Sequence, residues 1–218
     1  MSIRRKIRKA MIKRKMRLPA WCMTDRERVI RKIAAGVPSD GIVIDLGAYV
    51  GEISKEFAYY AKKVYAFEPH PEIFKRLQEN TRTRSNIECV QAAVSEEDGV
   101  CTLFSDPEPD ETKLTQGSSI MLGKSNLSYE NSFEVKTISL PDFIRSLDED
   151  VALIKMDIEG MEYRIINSLI ESGVMTKVGM VYVEDHCDRI PDLSIQRDAT
   201  LSRIENEGLS DRFNFDWP

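Results

Sequence analysis

Strand-like and helix-like patterns of apolar residues alternate through most of the chain. Short continuous apolar runs, such as 42–44 and 151–154, are typical of buried parallel strands. Apolar residues three or four positions apart, such as Ile73, Phe74 and Leu77, predict amphipathic helices between them. The complete set of predicted strands is 42–44, 64–67, 87–94, 100–104, 133–138, 151–154, 178–183 and 213–215. This alternation predicts an α/β fold with a doubly wound, mostly parallel sheet and helices on both faces.

Local signals place several of the predicted boundaries. Thr24 and Glu27 have the spacing of a capping box and predict that a helix begins there. Pro71 suits the first position of a helix, and Gly173 is expected to end the helix that contains Met161 and Leu169. Residues 105–132 are polar and show little periodicity, so we expect a long loop.

The N-terminal segment differs from the rest of the chain in charge. Residues 1–17 contain nine Lys or Arg and no acid, whereas residues 18–218 contain 22 basic and 36 acidic residues. Ile3, Ile7 and Met11 form an apolar stripe at helical spacing within this basic segment. We therefore expect a basic amphipathic extension over residues 1–20, followed by one domain over 21–218. The extension is predicted to lie apart from the strand-end site and to bind an anionic membrane surface or a polyanion.

Composition excludes several classes of protein. The chain has 218 residues, and no apolar run approaches the roughly 20 residues that span a bilayer. The pattern of a secretory signal is absent, and Cys22, Cys89, Cys101 and Cys187 are spaced as free thiols rather than as a disulfide framework. These features favour a cytoplasmic location, peripheral to a membrane if the extension binds one. With only His70 and His186 present, a multi-histidine metal centre is excluded.

Polar and acidic residues follow five of the predicted strands. They are Asp45, Glu68, the segment 91–95, Asp157 with Glu159, and the segment 184–186. In a doubly wound sheet, ligands bind beyond the carboxyl ends of the strands. We therefore expect these residues to surround one site.

The first strand-to-helix turn indicates which cofactor this site takes. Positions 47, 49 and 52 are Gly, Tyr and Glu, so the glycine pattern of a nicotinamide site fails, and no Gly-Lys-Ser/Thr phosphate loop is present. Asp45 would repel a pyrophosphate but suits a cationic ligand. Glu68 follows at the distance at which a carboxylate can accept both hydrogen bonds of a ribose diol. A ligand with a ribose, a positive charge and no phosphate is S-adenosylmethionine.

Several segments carry a resemblance to a known family. They read Ile42-Val43-Ile44-Asp45-Leu46-Gly47-Ala48-Tyr49-Val50-Gly51, Ala66-Phe67-Glu68-Pro69-His70-Pro71, Ala92-Ala93-Val94-Ser95, Gly117-Ser118-Ser119, Ile154-Lys155-Met156-Asp157-Ile158-Glu159-Gly160-Met161-Glu162 and Val183-Glu184-Asp185-His186. Together they resemble the FkbM-type S-adenosylmethionine-dependent methyltransferases. The resemblance implies a Rossmann-like class I methyltransferase fold, here with its sixth and seventh strands reduced.

The resemblance also implies roles for individual residues. Those expected to bind the cofactor are Asp45, Gly47, Tyr49, Gly51, Glu68, Gln91, Ala92 and Asp157. Asp157 and Glu159 would face its reacting end, and with His186 they are the candidates for a base that takes the proton of an alcohol acceptor. Tyr49 departs from the family, in which a small polar residue such as Asn is usual.

The sequence restricts the identity of the methyl acceptor and the use of a metal less closely than it restricts the cofactor. The resemblance implies O-methylation of a sugar, a glycan or a secondary metabolite. Two alternatives stay open: an RNA 2′-O-methyltransferase, or a non-catalytic module that binds a membrane or nucleic-acid surface. No metal is assigned, although Asp157 with Asp185 or His186 could hold a divalent cation, as acids at these strand ends do in metal-dependent O-methyltransferases.

Overall fold

The computed structural model describes residues 3–13, 17–105, 128–187, 190 and 193–218. Its α-helices are α1 (Ile3–Lys13), α2 (Asp25–Ala35), α3 (Glu52–Phe57), α4 (Pro71–Thr81), α5 (Leu140–Ser146), α6 (Glu162–Glu171) and α7 (Ser194–Asn206). Its strands are β1 (Ile42–Leu46), β2 (Lys63–Phe67), β3 (Ile87–Val90), β4 (Ala93–Ser95), β5 (Gly99–Ser105), β6 (Ser128–Ser139), β7 (Val151–Met156), β8 (Val178–Val183) and β9 (Phe213–Asn214). The Gly117-Ser118-Ser119 segment lies outside the described residues.

The main sheet has six strands in the order β3-β2-β1-β7-β8-β9, and each neighbouring pair is parallel. The chain order reverses between β1 and β7, which makes the carboxyl ends of these two strands the switch point of the sheet. The predicted α/β fold with a doubly wound sheet is confirmed. The expected shortening of strands at the β9 edge of the sheet is also seen, because β9 has two residues.

Helices cover both faces of the main sheet, as predicted. Alternate residues of β1 point to opposite faces. Ile44 packs in a core with α5, α6 and α7, whereas Val43 packs in a core with α2 and α3. The second core also contains Trp217, which stacks on Phe57 with ring centroids 6.4 Å apart.

A second, three-stranded sheet in the order β4-β6-β5 was not predicted. The expected strand 87–94 is wrong as one element: Ala92 N donates to Val90 O, and this tight turn separates β3 from β4. The loop expected over 105–132 is wrong at its end, because β6 begins at Ser128. Antiparallel pairing of β6 with β5 extends the strand beyond what the side-chain pattern indicates.

The structure shows the expected residues in place at the predicted starts of two helices. Thr24 and Glu27 form the capping box of α2, and Pro71 occupies the first turn of α4. The N-terminal helix α1 is attached to the body through Arg8, which donates two hydrogen bonds, of 2.7 and 2.8 Å, to Glu27 and one to the carbonyl of Cys22. The division into residues 1–20 and 21–218 stays a prediction.

Candidate active site

A cleft of about 1120 Å³ opens at the carboxyl ends of β1, β2 and β7. Its floor includes Gly47, Glu68, Asp157 and Glu159 from the predicted set, together with Glu184. The structure therefore brings together strand ends that are up to 137 residues apart in the chain, from Gly47 to Glu184.

The turn after β1 is held close to the turn after β7. Gly47 has φ +72°, and a Cβ at this position would lie 1.9 Å from the carbonyl oxygen of Asp157. Only a glycine allows these two backbones to approach so closely. Tyr49 also lies in the cleft wall and adopts φ 53°, a left-handed conformation that Asn or Gly tolerates better than Tyr.

Glu68 is the carboxylate on the β2 side of the cleft. One of its oxygens accepts a hydrogen bond from Tyr49 N at 3.0 Å, and the other accepts one from His70 N at 2.9 Å. Burial raises the pKa of Glu68 to about 7, against the lowering effect of these two N–H groups. Each oxygen keeps a second lone pair, so the carboxylate can accept two further hydrogen bonds from a diol.

Lys155 was not predicted as a site residue, and it connects β1 with β7. Its ammonium group is fully buried and donates to the carbonyl oxygens of Leu46 and Gly47 at 3.0 and 2.9 Å. It also lies 3.4 Å from Asp45 Oδ1 and 3.3 Å from Asp157 Oδ2. A lysine inside an otherwise apolar run was the available signal, because a buried ammonium group requires acidic partners.

Asp45 lies beneath the cleft rather than in its wall. It is fully buried, accepts a 2.6 Å hydrogen bond from Ser54 Oγ, and contributes to the ion pair with Lys155. Burial favours the neutral form of Asp157, but Lys155 and His186 outweigh this effect and hold the pKa of Asp157 below its usual range. Asp157 is therefore an anion at neutral pH.

Three further residues predicted to bind the cofactor do not line the cleft. Gly51 has φ +82°, and its missing side chain leaves room for Leu77 and Thr81 of α4. Gln91 is exposed and Ala92 is buried, whereas the neighbouring Ala93 and Val94 line the cleft. Their roles toward a cofactor stay predictions.

The segment from Asp157 to Glu162 wraps around the buried carboxylate of Glu162. Ile158 N donates to Glu162 Oε1 at 3.0 Å, and Gly160 N donates to Oε2 at 2.9 Å. Glu159, between these two donors, adopts φ 56°, which is uncommon for a residue other than Gly, Asn or Asp. The turn thereby places Asp157 and Glu159 side by side in the cleft.

His186 lies behind these two carboxylates and is fully buried. Its Nδ1 is 2.9 Å from Glu162 Oε1, and its Nε2 is 3.4 Å from Glu159 Oε2 and 3.7 Å from Asp157 Oδ1. Burial lowers the pKa of His186, but the hydrogen bond to Glu162 and the nearby carboxylates raise it more. The three predicted catalytic residues are therefore neighbours.

Asp185 points away from this cluster. It accepts hydrogen bonds from Tyr163 Oη at 2.6 Å and Cys187 N at 2.9 Å, and it pairs with Arg197 at 2.7 Å. Burial alone would raise the pKa of Asp185, but these donors lower it to about 2. The expected alternative in which Asp185 joins Asp157 at a metal is wrong, because its oxygens face α6 and α7.

The basic N-terminal segment contributes to the same cleft. Arg8 and Arg17 line it, so the expectation that residues 1–17 lie apart from the strand-end site is wrong. Both side chains are paired with acids of the body: Arg8 with Glu27, and Arg17 with Glu56 at 2.7 Å. The cleft thus has acidic strand ends and a wall of ion-paired arginines.

Comparison with known proteins identifies the family. Residues 45–198 match the family model of the methyltransferase FkbM domain. The chain belongs to this family. The match extends from the first turn of the cleft through the Asp157–Glu162 segment to His186, and the resemblance given by the sequence motifs is confirmed.

Two relatives illustrate the similarity. The hexuronic acid methyltransferase AglP of Haloferax volcanii is 27% identical over 171 residues, which are 76% of this chain and 66% of AglP. The crystal structure of methyltransferase FkbM from Methylobacillus flagellatus KT is 17% identical, with a TM-score of 0.48, over 80% of this chain and 38% of that one. This FkbM-domain chain thus spans slightly under two thirds of the curated relative. No helix in its described part is long and apolar enough to cross a membrane.

Proposed function

We propose that this FkbM-domain protein transfers a methyl group from S-adenosylmethionine to a hydroxyl group of a sugar or glycan. The observation that carries the proposal is the position of Glu68. Its carboxylate lies in the cleft wall beside the Gly47–Tyr49 turn and can accept hydrogen bonds from a ribose diol. The same cleft presents Asp157, Glu159 and Glu184, which suit the positive charges of a sulfonium and an α-amino group.

The cleft is at least as large as a usual pocket for one small ligand. Such pockets measure about 300–1,000 Å³, and this cleft measures about 1120 Å³. We propose that the acceptor enters the part of the cleft that the cofactor leaves open. A sugar acceptor is consistent with the hexuronic acid named as the substrate of AglP.

The chemical step needs orientation and a proton acceptor. A lone pair of the acceptor oxygen attacks the methyl carbon, the O–C bond forms, and the electron pair of the C–S bond returns to sulfur. The products are the methyl ether and neutral S-adenosylhomocysteine, and the hydroxyl proton passes to the cluster of Asp157, Glu159 and His186.

The lysine at the end of β7 gives the RNA 2′-hydroxyl alternative no support. Lys155 is fully buried, and its ammonium group is engaged by two carbonyls and two carboxylates.

The basic extension supports peripheral binding to an anionic surface. Arg8 attaches α1 to the body, and this leaves Ile3 77% exposed and Ile7 38% exposed on the same helix. Exposed apolar residues on a cationic helix are typical of helices that lie in a membrane interface.

Calorimetry with S-adenosylmethionine, S-adenosylhomocysteine and NAD tests the cofactor. Binding of NAD but not of the two adenosyl compounds would contradict the proposal.

Labelled cofactor offered with neutral sugars, hexuronates and RNA then tests the acceptor, and label in RNA alone would overturn the sugar assignment. Asp157→Asn should slow turnover about a hundredfold or more, whereas the exposed Asp142→Asn should not change it.

A further inference from the structure

We propose that His186, Asp157 and Glu159 bind a divalent metal cation on the floor of the cleft. Nε2 of His186 and one carboxylate oxygen each of Asp157 and Glu159 all lie within 4.8 Å of one another. A cation with bonds of about 2.1 Å holds adjacent ligand atoms about 3 Å apart and opposite ones about 4.2 Å apart. Small side-chain movements would therefore bring the three atoms around one ion.

The buried imidazole is the observation that distinguishes this cluster from a group of surface acids. His186 is fully buried, and its Nε2 has no hydrogen-bond partner among the described residues. The same atom faces carboxylates of Glu159 at 3.4 Å, Asp157 at 3.7 Å and Glu184 at 3.9 Å. A buried nitrogen directed at several anions needs a positive charge between them.

Glu162 orients the imidazole for ligation. Its carboxylate accepts from Ile158 N, Gly160 N and His186 Nδ1, so Nδ1 is the protonated nitrogen. In the neutral ring the lone pair then lies on Nε2 and points at the acids. A carboxylate that holds the far nitrogen of a histidine is the usual support of a metal-bound imidazole.

The ligand set indicates the class of metal. One imidazole nitrogen with carboxylate oxygens suits Mn²⁺, Fe²⁺ or Zn²⁺ better than Ca²⁺ or Mg²⁺, which prefer oxygen alone. Asp157 and Glu159 line the cleft whereas His186 lies behind them, so coordination positions on the cleft side stay open to a ligand. If the proposed methyl transfer is correct, the acceptor hydroxyl is that ligand. In the metal-bound form Asp157 and Glu159 hold the ion, and Glu184 is the carboxylate left for the positive charges of the cofactor.

Titration of the chelator-treated protein with Mn²⁺ alone, followed by electron paramagnetic resonance, tests the site without cofactor or acceptor. We expect one bound Mn²⁺ per chain with hyperfine coupling to an imidazole nitrogen, and displacement by Zn²⁺ at lower concentration than by Mg²⁺. Glu159→Gln and His186→Asn should each weaken binding at least about tenfold, and the nitrogen coupling should vanish in His186→Asn. Glu72→Gln, an exposed acid on α4, is the matched control and should bind normally.

Two results would overturn the proposal. Absence of binding at millimolar Mn²⁺ and Zn²⁺ would mean that a proton alone supplies the charge at His186. Binding that survives both substitutions would place the ion elsewhere. Glu159 is partly exposed, so Glu159→Gln keeps the test valid if His186→Asn does not fold. Calorimetry of S-adenosylhomocysteine binding to the wild type and to the same variants tests the cofactor proposal separately. A wild type that binds Mn²⁺ but not S-adenosylhomocysteine would contradict the cofactor proposal and leave the metal site supported.

Discussion

The ammonium group of Lys155 lies 3.4 Å from the carboxylate of Asp45, and both side chains are fully buried between adjacent parallel strands. Asp157 completes the group at 3.3 Å, at the edge of the cleft. One buried cation thus joins the first turn of the site to the Asp157 turn. The site depends on this ion pair for its shape as well as for its charge.

Loss of Lys155 should therefore be strongly destabilising. Lys155→Met leaves Asp45 buried without its cation, and removal of one partner of a buried pair costs about 3–5 kcal/mol of the free energy of unfolding. Urea denaturation measures the loss. The double variant with Asp45→Asn should recover part of it, and the surface change Lys62→Met should leave the midpoint unchanged. A single variant as stable as the wild type would contradict a structural role for the pair.

Gly47→Ala should lower the free energy of unfolding by more than the left-handed conformation of its backbone alone explains. The added Cβ would meet the Asp157 carbonyl oxygen at 1.9 Å, so the two turns must separate, and we expect loss of S-adenosylhomocysteine binding by calorimetry. Gly173→Ala is the matched control, because Gly173 has almost the same φ, +73°, with no atom within 4 Å of the added Cβ. Gly173→Ala should lower the free energy of unfolding only by the amount that a left-handed alanine costs, about 1–2 kcal/mol. It should bind S-adenosylhomocysteine as the wild type does. Equal effects of the two changes would show that the close approach is unimportant.

Cofactor affinity should rise with pH through about 7. The ionised form of Glu68 accepts the diol hydrogen bonds, and burial raises the pKa of this group to about 7. A protonated Glu68 loses this capacity as the pH falls, so the dissociation constant of S-adenosylhomocysteine should be about tenfold larger at pH 6 than at pH 8. Asp45 and Lys155 also act on Glu68, and nearby carboxylates hold the pKa of Lys155 above its usual value, so Lys155 stays protonated over this range.

Variants identify the group responsible for this dependence. Glu68→Gln should bind more weakly and with a flat pH profile, whereas Glu72→Gln should keep the wild-type profile. If the slope persists in Glu68→Gln, another group, such as His186, controls it.

A chain that begins at Leu18 should keep its cofactor affinity and lose binding to anionic vesicles. Arg8 and Arg17 pair with Glu27 and Glu56, and not with the strand-end residues. Vesicle binding of the full chain should weaken with salt, since its attraction is electrostatic. Co-sedimentation measures it, and a variant with Ile3→Ala and Ile7→Ala, which keeps every charge, isolates the apolar contribution. Vesicle binding by the shortened chain would refute the assignment to α1.

The sequence alone predicted much of the fold because its signals are local. The apolar run at 42–44 and the capping box of Thr24 and Glu27 depend on neighbours within a few residues, and both became the expected elements. Placing Glu68, Asp157 and Glu159 at one edge followed from a general property of doubly wound sheets, in which the carboxyl ends of the parallel strands share that edge.

The tertiary structure decided which of these groups meet and how. Strands β1 and β7 are neighbours although about a hundred residues separate them. Their pairing brings Lys155 to its acidic partners. It also brings the Asp157 carbonyl so close to Gly47 that no side chain fits at position 47. Likewise, only the fold directs Glu162 at His186 and turns Asp185 away from it. Side-chain direction at a strand end depends on the register and on the packing of distant elements. No local pattern of residue types specifies either of them.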